Sequence, residues 1–269
     1  MKNLILGVLV SFSTISSAFA VCTYNLDATP YEISKMYSGQ NITERFPTVV
    51  SQDYGYQIKS TNSVLNSLRL YAAGSSTFVN AISSWDAASS KDAELNGDVV
   101  LPENGIYAIE FKINSFHFAS NIGSAEYNLG AMIVGTSNSK RGVNIIPILS
   151  NTSTGLKLKI DIVDKLGGNF ETVSFPVPNQ LANFRYGLYF NQDTKQVGVI
   201  VNGVNKGYIN TPLSNKIDAL GFILQGRISN IPSASSYLNK YVTAKIITDK
   251  SELNFNYPIG TKDICSNII

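Results

Sequence analysis

The sequence is poor in the side chains that build metal and redox centres. Its 269 residues include two cysteines, one tryptophan and one histidine, His117. A tetrahedral zinc site takes four ligands, mostly cysteine and histidine, and this chain cannot supply four of those. The sequence also lacks the dense group of aspartate and asparagine residues that would predict a calcium site. We therefore expect neither a metal nor a cofactor.

Charge is also scarce. Charged residues make up 15% of the chain, and the formal net charge is +2. Since no block of basic residues stands out, a nucleic-acid partner is not expected. The hydrophobic content of 44% is too high for a disordered chain, so the composition predicts a folded domain with a sizeable core.

The first twenty residues have the pattern of a secretory signal peptide. Lys2 precedes an apolar run over residues 4–10, and small residues allow cleavage after Ala20. Hydroxyl residues interrupt the run, so it is shorter than the roughly 20 apolar residues of a membrane span. Val21 is larger than the residue that a lipid-attachment site places before its cysteine, which argues against a lipid anchor at Cys22. The prediction is Sec-type export of a chain that does not span a membrane, to the periplasm, the outer surface or the medium.

The two cysteines, Cys22 and Cys265, stand at opposite ends of the mature chain. In an exported protein two such cysteines are typically paired, and no Cys-x-x-Cys motif indicates a redox role. The bond would close nearly the whole chain, which in the loop-entropy model contributes at most about 5 kcal/mol. It also requires Cα atoms within about 7 Å of each other. We predict one domain over residues 21–269 whose ends meet at Cys22–Cys265, as when the first and last strands are neighbours.

Apolar and polar residues alternate along most of the mature chain, which is typical of β-strands. Between Tyr107 and Ile113, for example, one face is apolar and the other carries Glu110 and Lys112. Helical turns are expected only in loops, as at residues 31–37, and the stretch 72–96 is the least regular. Without helices of ten or more residues between strands, the pattern predicts an antiparallel all-β sandwich. Strands are predicted at 24–28, 49–58, 67–71, 107–113, 127–136, 143–149, 156–163, 170–177, 186–190, 197–201, 206–209, 220–225 and 242–247.

Residues 185–194 and 197–203 read as a strand, a turn and a second strand that runs into Val201-Asn202-Gly203. Asn-Gly suits this place because both residues tolerate the positive φ of a tight hairpin. The two passages, with the earlier strand over 105–113, resemble the concanavalin A-like sandwiches, including laminin-G and SPRY-type domains. That resemblance implies a jelly roll. The chain is also similar to secreted Gram-negative bacterial proteins known only as a domain of unknown function, with Cys-Thr-Tyr-Asn-Leu-Asp-Ala-Thr at the mature start, which implies no activity.

The resemblance to concanavalin A-like sandwiches implies carbohydrate binding through aromatic and planar polar side chains. Because Tyr186 and Tyr189 point to opposite faces of one strand, at least one of them should face the core. The first hypothesis is a non-catalytic lectin- or adhesin-like protein with a glycan partner. The second is a structural envelope protein or a binder of a cell-surface protein, which the low charge and the many Tyr and Asn residues suit equally. Candidate ligand-binding residues are Trp85, Tyr127, Asn128, Tyr186, Tyr189, Asn191 and Asp193.

A polysaccharide hydrolase or lyase is the third hypothesis. A hydrolase needs two carboxylates flanking the scissile bond, yet Glu110 is followed on its own strand face by Lys112 and Asn114. A lyase needs a base beside an arginine, and His117 with Arg141 is the best set in the sequence. No Gly-x-Ser-x-Gly motif marks a nucleophilic serine. We therefore expect that the protein is not an enzyme.

Overall fold

The computed structural model describes residues 22–35, 49–52, 55–59, 70–82, 98–114, 126–137, 140–152, 155–178, 183–229 and 241–269. Most of these residues are in strands. The elements are α1 (Pro30–Lys35), β1 (Val49–Gln52), β2 (Gly55–Lys59), β3 (Leu70–Gly74), α2 (Ser76–Ile82), β4 (Val99–Val100), β5 (Ile106–Asn114), β6 (Glu126–Ser137), β7 (Lys140–Thr152), β8 (Gly155–Asp164), β9 (Asn169–Pro176), β10 (Phe184–Asn191), β11 (Gln196–Val201), β12 (Val204–Tyr208), β13 (Ala219–Ser229), β14 (Tyr241–Ile247) and β15 (Thr261–Lys262).

The strands form two sheets with almost entirely antiparallel pairing. The first sheet has the order β1-β2-β14-β5-β10-β11-β12, and the short β15 pairs with β5 in parallel. The second sheet has the order β3-β13-β6-β7-β8-β9, and β4 pairs with β13. Strands far apart in the sequence lie side by side, as β14 does with β5, while β10 and β11 form a hairpin. The predicted antiparallel β-sandwich is confirmed.

The core lies between the two sheets and is built by alternating residues. In β8 the apolar side chains of Leu156, Leu158, Ile160 and Ile162 are buried, while the residues between them are half-buried at the outer face. The opposite sheet contributes Phe111 and Tyr186, whose rings stack with centroids 5.0 Å apart. The period-two alternation of apolar residues therefore determines which side of the strand faces the core.

Helix α1 begins where local hydrogen bonding favours it. The Thr29 hydroxyl accepts a hydrogen bond from the Glu32 amide (3.2 Å), and the Glu32 carboxylate accepts one from the Thr29 amide (2.7 Å). This reciprocal capping, followed by Pro30 at the first helical position, is a strong start signal. The helical turn predicted at residues 31–37 is thus confirmed over Pro30–Lys35.

Two predicted strands differ in the structure. Residues 24–28 are extended, and Tyr24, Leu26 and Ala28 are buried in alternation, but they join no sheet. The Tyr24 amide instead donates to the Thr248 hydroxyl (3.0 Å). Alternation predicts which side of a segment is buried, but it does not supply a partner strand. The strand predicted over 49–58 is two antiparallel strands, β1 and β2, with Gln52 opposite Gly55.

The predicted disulfide between Cys22 and Cys265 is present, with the Cα atoms 5.8 Å apart. The ends meet through loops rather than neighbouring strands, since the Cys22 amide donates to the Asp249 carboxylate (2.7 Å). The predicted signal peptide, residues 1–20, lies outside the described residues. Within the described part of the chain, no helix has the length and apolarity to cross a membrane.

The segment after β14 covers part of the outer face of the first sheet. Phe255 and Tyr257 pack there against Ala108, Tyr189 and Ile200, which form a small second core outside the sandwich. Residues 249–260, which we call the C-terminal segment, thus divide this outer face into a covered part and an open part.

Candidate functional site

The candidate residues from the sequence separate into different environments. Trp85 lies outside the described residues, and the side chains of Tyr127 and Asn128, on β6, lie outside the described part as well. Tyr186 is fully buried between the sheets, so its place among the ligand-binding candidates is corrected: its ring is core. Tyr189, Asn191 and Asp193 lie together near the end of β10. Trp85, Tyr127 and Asn128 stay predictions.

Three neighbouring strands bring the site together on the outer face of the first sheet. Tyr189 of β10 lies opposite Gly198 of β11, and Gly198 lies opposite Tyr208 of β12. A Cβ atom at Gly198 would come within 1.9 Å of the Tyr189 ring, so this ring lies flat across the glycine. The absent side chain of Gly198 lets Tyr189 reach β12.

Tyr208 is the exposed one of the two tyrosines. Its side chain is 40% exposed, and its ring centroid is 5.4 Å from that of the buried Tyr189. One ring therefore supports the other from behind and limits its motion. We call Tyr189, Asn191, Asn205 and Tyr208 the tyrosine–asparagine cluster.

The orientation of Asn191 follows from its backbone contacts. Its side-chain oxygen accepts hydrogen bonds from the amides of Asp193 (3.0 Å) and Thr194 (3.1 Å), as in an Asx turn. The amide nitrogen of Asn191 therefore faces Tyr208 and donates to its hydroxyl oxygen at 2.5 Å. Because that oxygen is an acceptor in this bond, the hydroxyl proton of Tyr208 points elsewhere.

Asn205 is held in the same way. Its side-chain oxygen accepts from the Tyr189 hydroxyl (3.0 Å) and the Gly207 amide (2.8 Å). Burial raises the pKa of Tyr189, which keeps the hydroxyl protonated as the donor. The oxygen is thus occupied within the protein, while the amide hydrogens of this exposed side chain are available to the outside.

Asp193 sits beside the cluster in the turn after β10. It is exposed, and its carboxylate accepts a hydrogen bond of 3.3 Å from the Gly105 amide. The tyrosine–asparagine cluster and Asp193 together offer one exposed aromatic ring, two side chains with donors that face outward, and one carboxylate. Such a surface can stack on a flat apolar face and bind hydroxyl groups around its rim.

Glu110, the carboxylate considered for a hydrolase, lies on the same outer face but under the C-terminal segment. It is fully buried, and one oxygen accepts from the amides of Asn254 (2.8 Å) and Phe255 (3.0 Å) and from the Tyr257 hydroxyl (3.0 Å). Its other oxygen pairs with Arg185. Burial and the negative charge of Glu110 raise the pKa of Tyr257, which stays a donor. Glu110 therefore fastens the segment to the sheet.

The lyase candidates cannot be compared with the cluster, and the described residues contain one group at metal-ligand spacing. His117 and the side chain of Arg141 lie outside the described residues. Within the described part of the chain, the one group at metal-ligand spacing is Cys22, Asp263 and Cys265, whose sulfur atoms are already joined. Asp263 instead accepts from the amides of Cys265 and Asn267, both at 2.9 Å.

The sequence predicts Tyr189, Asn191 and Asp193 as candidate ligand-binding residues. It does not predict Tyr208 and Asn205. The predicted strand over 206–209 contains Tyr208, but a regular strand would place Asn205 and Tyr208 on opposite faces. A register shift between β11 and β12 brings both to one face, since Gly198 lies opposite Tyr208 and Ile200 opposite Asn205. The signal available in the sequence is Gly207, which adopts a φ of 78° at this irregularity.

Comparisons with families and curated proteins give one match. The model of the family described as Domain of unknown function (DUF4882) matches residues 157–267, a stretch that contains β10, β11 and β12. This confirms the similarity to proteins known only as a domain of unknown function. Among curated proteins, no relative of this chain is found.

Three solved structures are similar to this chain at low sequence identity. Porphyranase B from Zobellia galactanivorans has 10% sequence identity and a TM-score of 0.44, covering 78% of this chain and 85% of its own. The alginate lyase AlyA1 from the same organism has 14% identity and a TM-score of 0.38, covering 84% and 89%. An alginate lyase from Alteromonas sp. 272 has 11% identity and a TM-score of 0.38, covering 81% and 96%.

The antiparallel β-sandwich expected from the sequence is confirmed by the two sheets, and one functional expectation is wrong. We expected that the protein is not an enzyme, but the similar structures named above are a porphyranase and two alginate lyases, all enzymes. That expectation is therefore withdrawn. The chain is a sandwich of two antiparallel sheets.

Proposed function

We propose that this protein is an exported carbohydrate-active protein that binds a polysaccharide at the tyrosine–asparagine cluster. The proposal rests on two hydrogen-bond donors of the cluster that point away from the partners the structure describes. The oxygens of Asn191 and Asn205 are occupied within the protein, which leaves the Tyr208 hydroxyl proton and the Asn205 amide hydrogens for a ligand. Both donors lie beside the exposed ring of Tyr208.

A sugar suits this surface because it has an apolar ring face and a rim of hydroxyl groups. The ring face can stack on Tyr208, as amphipathic ligands do on tyrosine, while the hydroxyl oxygens accept from Tyr208 and Asn205. Tyr189 supports Tyr208 from behind, so less side-chain freedom is lost on binding. The site is therefore prepared before the ligand arrives.

Export is part of the proposal. The leader predicted over residues 1–20 and the Cys22–Cys265 disulfide both suit an oxidising compartment outside the cytoplasm. Polysaccharides of cell walls and mucilage occur there. The structural neighbours are named for porphyran and alginate, which makes polysaccharides the first class of glycan to test.

The test is affinity electrophoresis of the mature protein through gels that contain a panel of acidic and neutral polysaccharides. We expect at least one polymer to retard the wild type, and Tyr208→Ala to weaken that binding about tenfold, from the loss of one stacking platform and one hydrogen bond. Tyr31→Ala is the matched control, because Tyr31 is 71% exposed and lies on α1. Equal binding by wild type and Tyr208→Ala would overturn the proposal.

Each polymer that binds is also assayed for cleavage, by new reducing ends and by the absorbance of unsaturated ends. Product that Tyr208→Ala abolishes and Tyr31→Ala preserves would assign the reaction to the cluster. Glu110 is occupied by four hydrogen bonds, so the exposed Asp193 is the carboxylate to change next. Asp193→Asn distinguishes cleavage from binding, since we expect it to retain the polymer.

A further inference from the structure

Three cations lie side by side on the outer face of the first sheet. Arg185 of β10 lies opposite Lys112 of β5, and Lys112 lies opposite Lys245 of β14. Residues directly opposite in antiparallel strands share a face, with Cβ atoms about 5 Å apart. Arg185, Lys112 and Lys245, which we call the cation row, therefore concentrate three positive charges within about 10 Å.

Two members of the row pair with carboxylates that the structure describes. Arg185 pairs with the buried Glu110, and Lys245 pairs with Glu252 at 2.6 Å. In the part of the chain that the structure describes, no carboxylate pairs with Lys112, the central member. Like charges directly opposite one another are destabilising, so a third anion would relieve the repulsion around Lys112.

The row is open to solvent in part. Lys112 is half-buried, the Lys245 side chain is 34% exposed and that of Arg185 is 19% exposed. Glu252 of the C-terminal segment contacts both outer members, since its backbone oxygen accepts from Arg185 and its carboxylate pairs with Lys245. A group with oxygen acceptors would therefore reach Lys112 beside Glu252. Partial burial also strengthens the attraction relative to a fully solvated pair.

The row lies along the same face as the tyrosine–asparagine cluster. Arg185 and Tyr189 are four residues apart on β10, which corresponds to about 13 Å. Between them, Gly187 is covered by Phe255 and Tyr257, whose nearest atoms would lie 2.9 and 2.5 Å from a Cβ atom there. A polymer running along β10 would pass over these aromatic side chains and reach both regions.

From this arrangement we infer that the polysaccharide is acidic, and that the cation row binds a carboxylate or sulfate group of the sugar. The inference rests on the proposed function, because it assigns the charge of the polymer bound at the cluster. Lys112 supplies the uncompensated charge, while Arg185 and Lys245 flank the bound anion. Hydrogen bonds between an ammonium and a carboxylate are stronger than neutral ones.

The test compares polygalacturonate with its fully methyl-esterified form, which has the same backbone without charge. We expect the wild type to bind the charged form about tenfold more tightly, with the preference reduced by added salt. Lys112→Gln should abolish the preference. The matched control is Lys157→Gln, which removes the same charge from a half-buried lysine on β8 of the other sheet.

The outcomes separate the inference from the proposed function. Equal binding of both forms by the wild type, or a preference that survives Lys112→Gln, overturns the acidic-ligand inference and leaves polysaccharide binding standing. Binding of neither form also overturns the inference, while neutral glycans in the panel still decide the proposed function. A preference lost in Lys112→Gln and retained in Lys157→Gln supports the inference.

Discussion

The outer face of the first sheet has two parts built from similar side chains. In the covered part, Tyr257 and Arg185 both direct their donors at Glu110, which is fully buried. In the open part, Tyr208 accepts from Asn191 and keeps its own proton for the outside. Glu110 has all its neighbours within the protein, which makes this contact structural, whereas the donors left over around Tyr208 make the second part suitable for a ligand.

A glycine makes each part possible. Gly187 leaves room for Tyr257, whose hydroxyl oxygen would lie 2.5 Å from a Cβ atom there, and Gly198 leaves room for the Tyr189 ring. In the covered part the space is filled by a distant segment of the chain. In the open part it is filled by a ring from the neighbouring strand, so the surface beyond that ring stays exposed.

Removing the disulfide should weaken the covered part most. Cys265 holds the end of the chain that follows the C-terminal segment, and the bond spans a sequence separation of 243 residues. We expect Cys22→Ser/Cys265→Ser to lower the free energy of unfolding by up to about 5 kcal/mol, because the unfolded chain gains freedom. Urea unfolding of the variant and the wild type measures the difference. An unchanged midpoint and slope would contradict the expected contribution.

Glu110→Gln removes the charge at the centre of the covered part. Arg185 then loses its carboxylate while still half-buried, so we expect a loss of about 3 kcal/mol in urea unfolding at neutral pH. Glu171→Gln is the control, since the half-buried Glu171 accepts hydrogen bonds from Thr211 and lies on the edge strand β9. A cost for Glu110→Gln no larger than that of the control would show that Glu110 does not fasten the segment.

Gly198→Ala tests the packing of the open part. The new methyl group would overlap the Tyr189 ring, so we expect a loss of about 2 kcal/mol in unfolding free energy. In a Tyr189→Ala background the same substitution should cost little, because the overlapping ring is gone. A double-mutant cycle measures the coupling, and additive effects would contradict the contact.

Tyr208→Phe should affect binding and leave the fold intact. The variant keeps the ring but loses the outward hydroxyl donor, so affinity for a bound polysaccharide should fall about fivefold. Its unfolding free energy should stay within about 0.5 kcal/mol of the wild type, since the side chain is exposed. Unchanged affinity with intact stability would remove this hydroxyl from the site.

The covered part should also respond to alkaline pH. The pKa of Tyr257 is raised by burial and by Glu110, so the folded protein keeps this phenol protonated where the unfolded chain ionises it, above about pH 10. Stability from this group is therefore present below pH 10 and declines as pH rises further. Ultraviolet titration of the wild type and of Tyr257→Phe measures the ionisation of this phenol. If Tyr257→Phe shows one phenol fewer than the wild type in the normal range near pH 10, the shift is contradicted.

Local pattern predicts the hairpin but not all of the site. The strands β10 and β11 follow from short apolar runs bounded by turn residues. The Asn202-Gly203 turn between β11 and β12 is confirmed with φ values of 49° and 78°. Tyr208 and Asn205 meet on one face only because of the register shift opposite β11, which alternation does not reveal. The cover over Glu110 comes from residues more than 140 positions away, as the Asn254 contact shows, and such pairing depends on the complete fold.

The central claim is that a polysaccharide contacts Tyr208, and fluorine NMR of protein labelled with 3-fluorotyrosine tests it most directly. Tyr208→Phe and Tyr31→Phe assign the signals of these two residues by their disappearance. Addition of a polysaccharide that retards the wild type should shift and broaden the Tyr208 signal and leave that of Tyr31 in place. A bound polymer that leaves the Tyr208 signal unchanged would contradict the account.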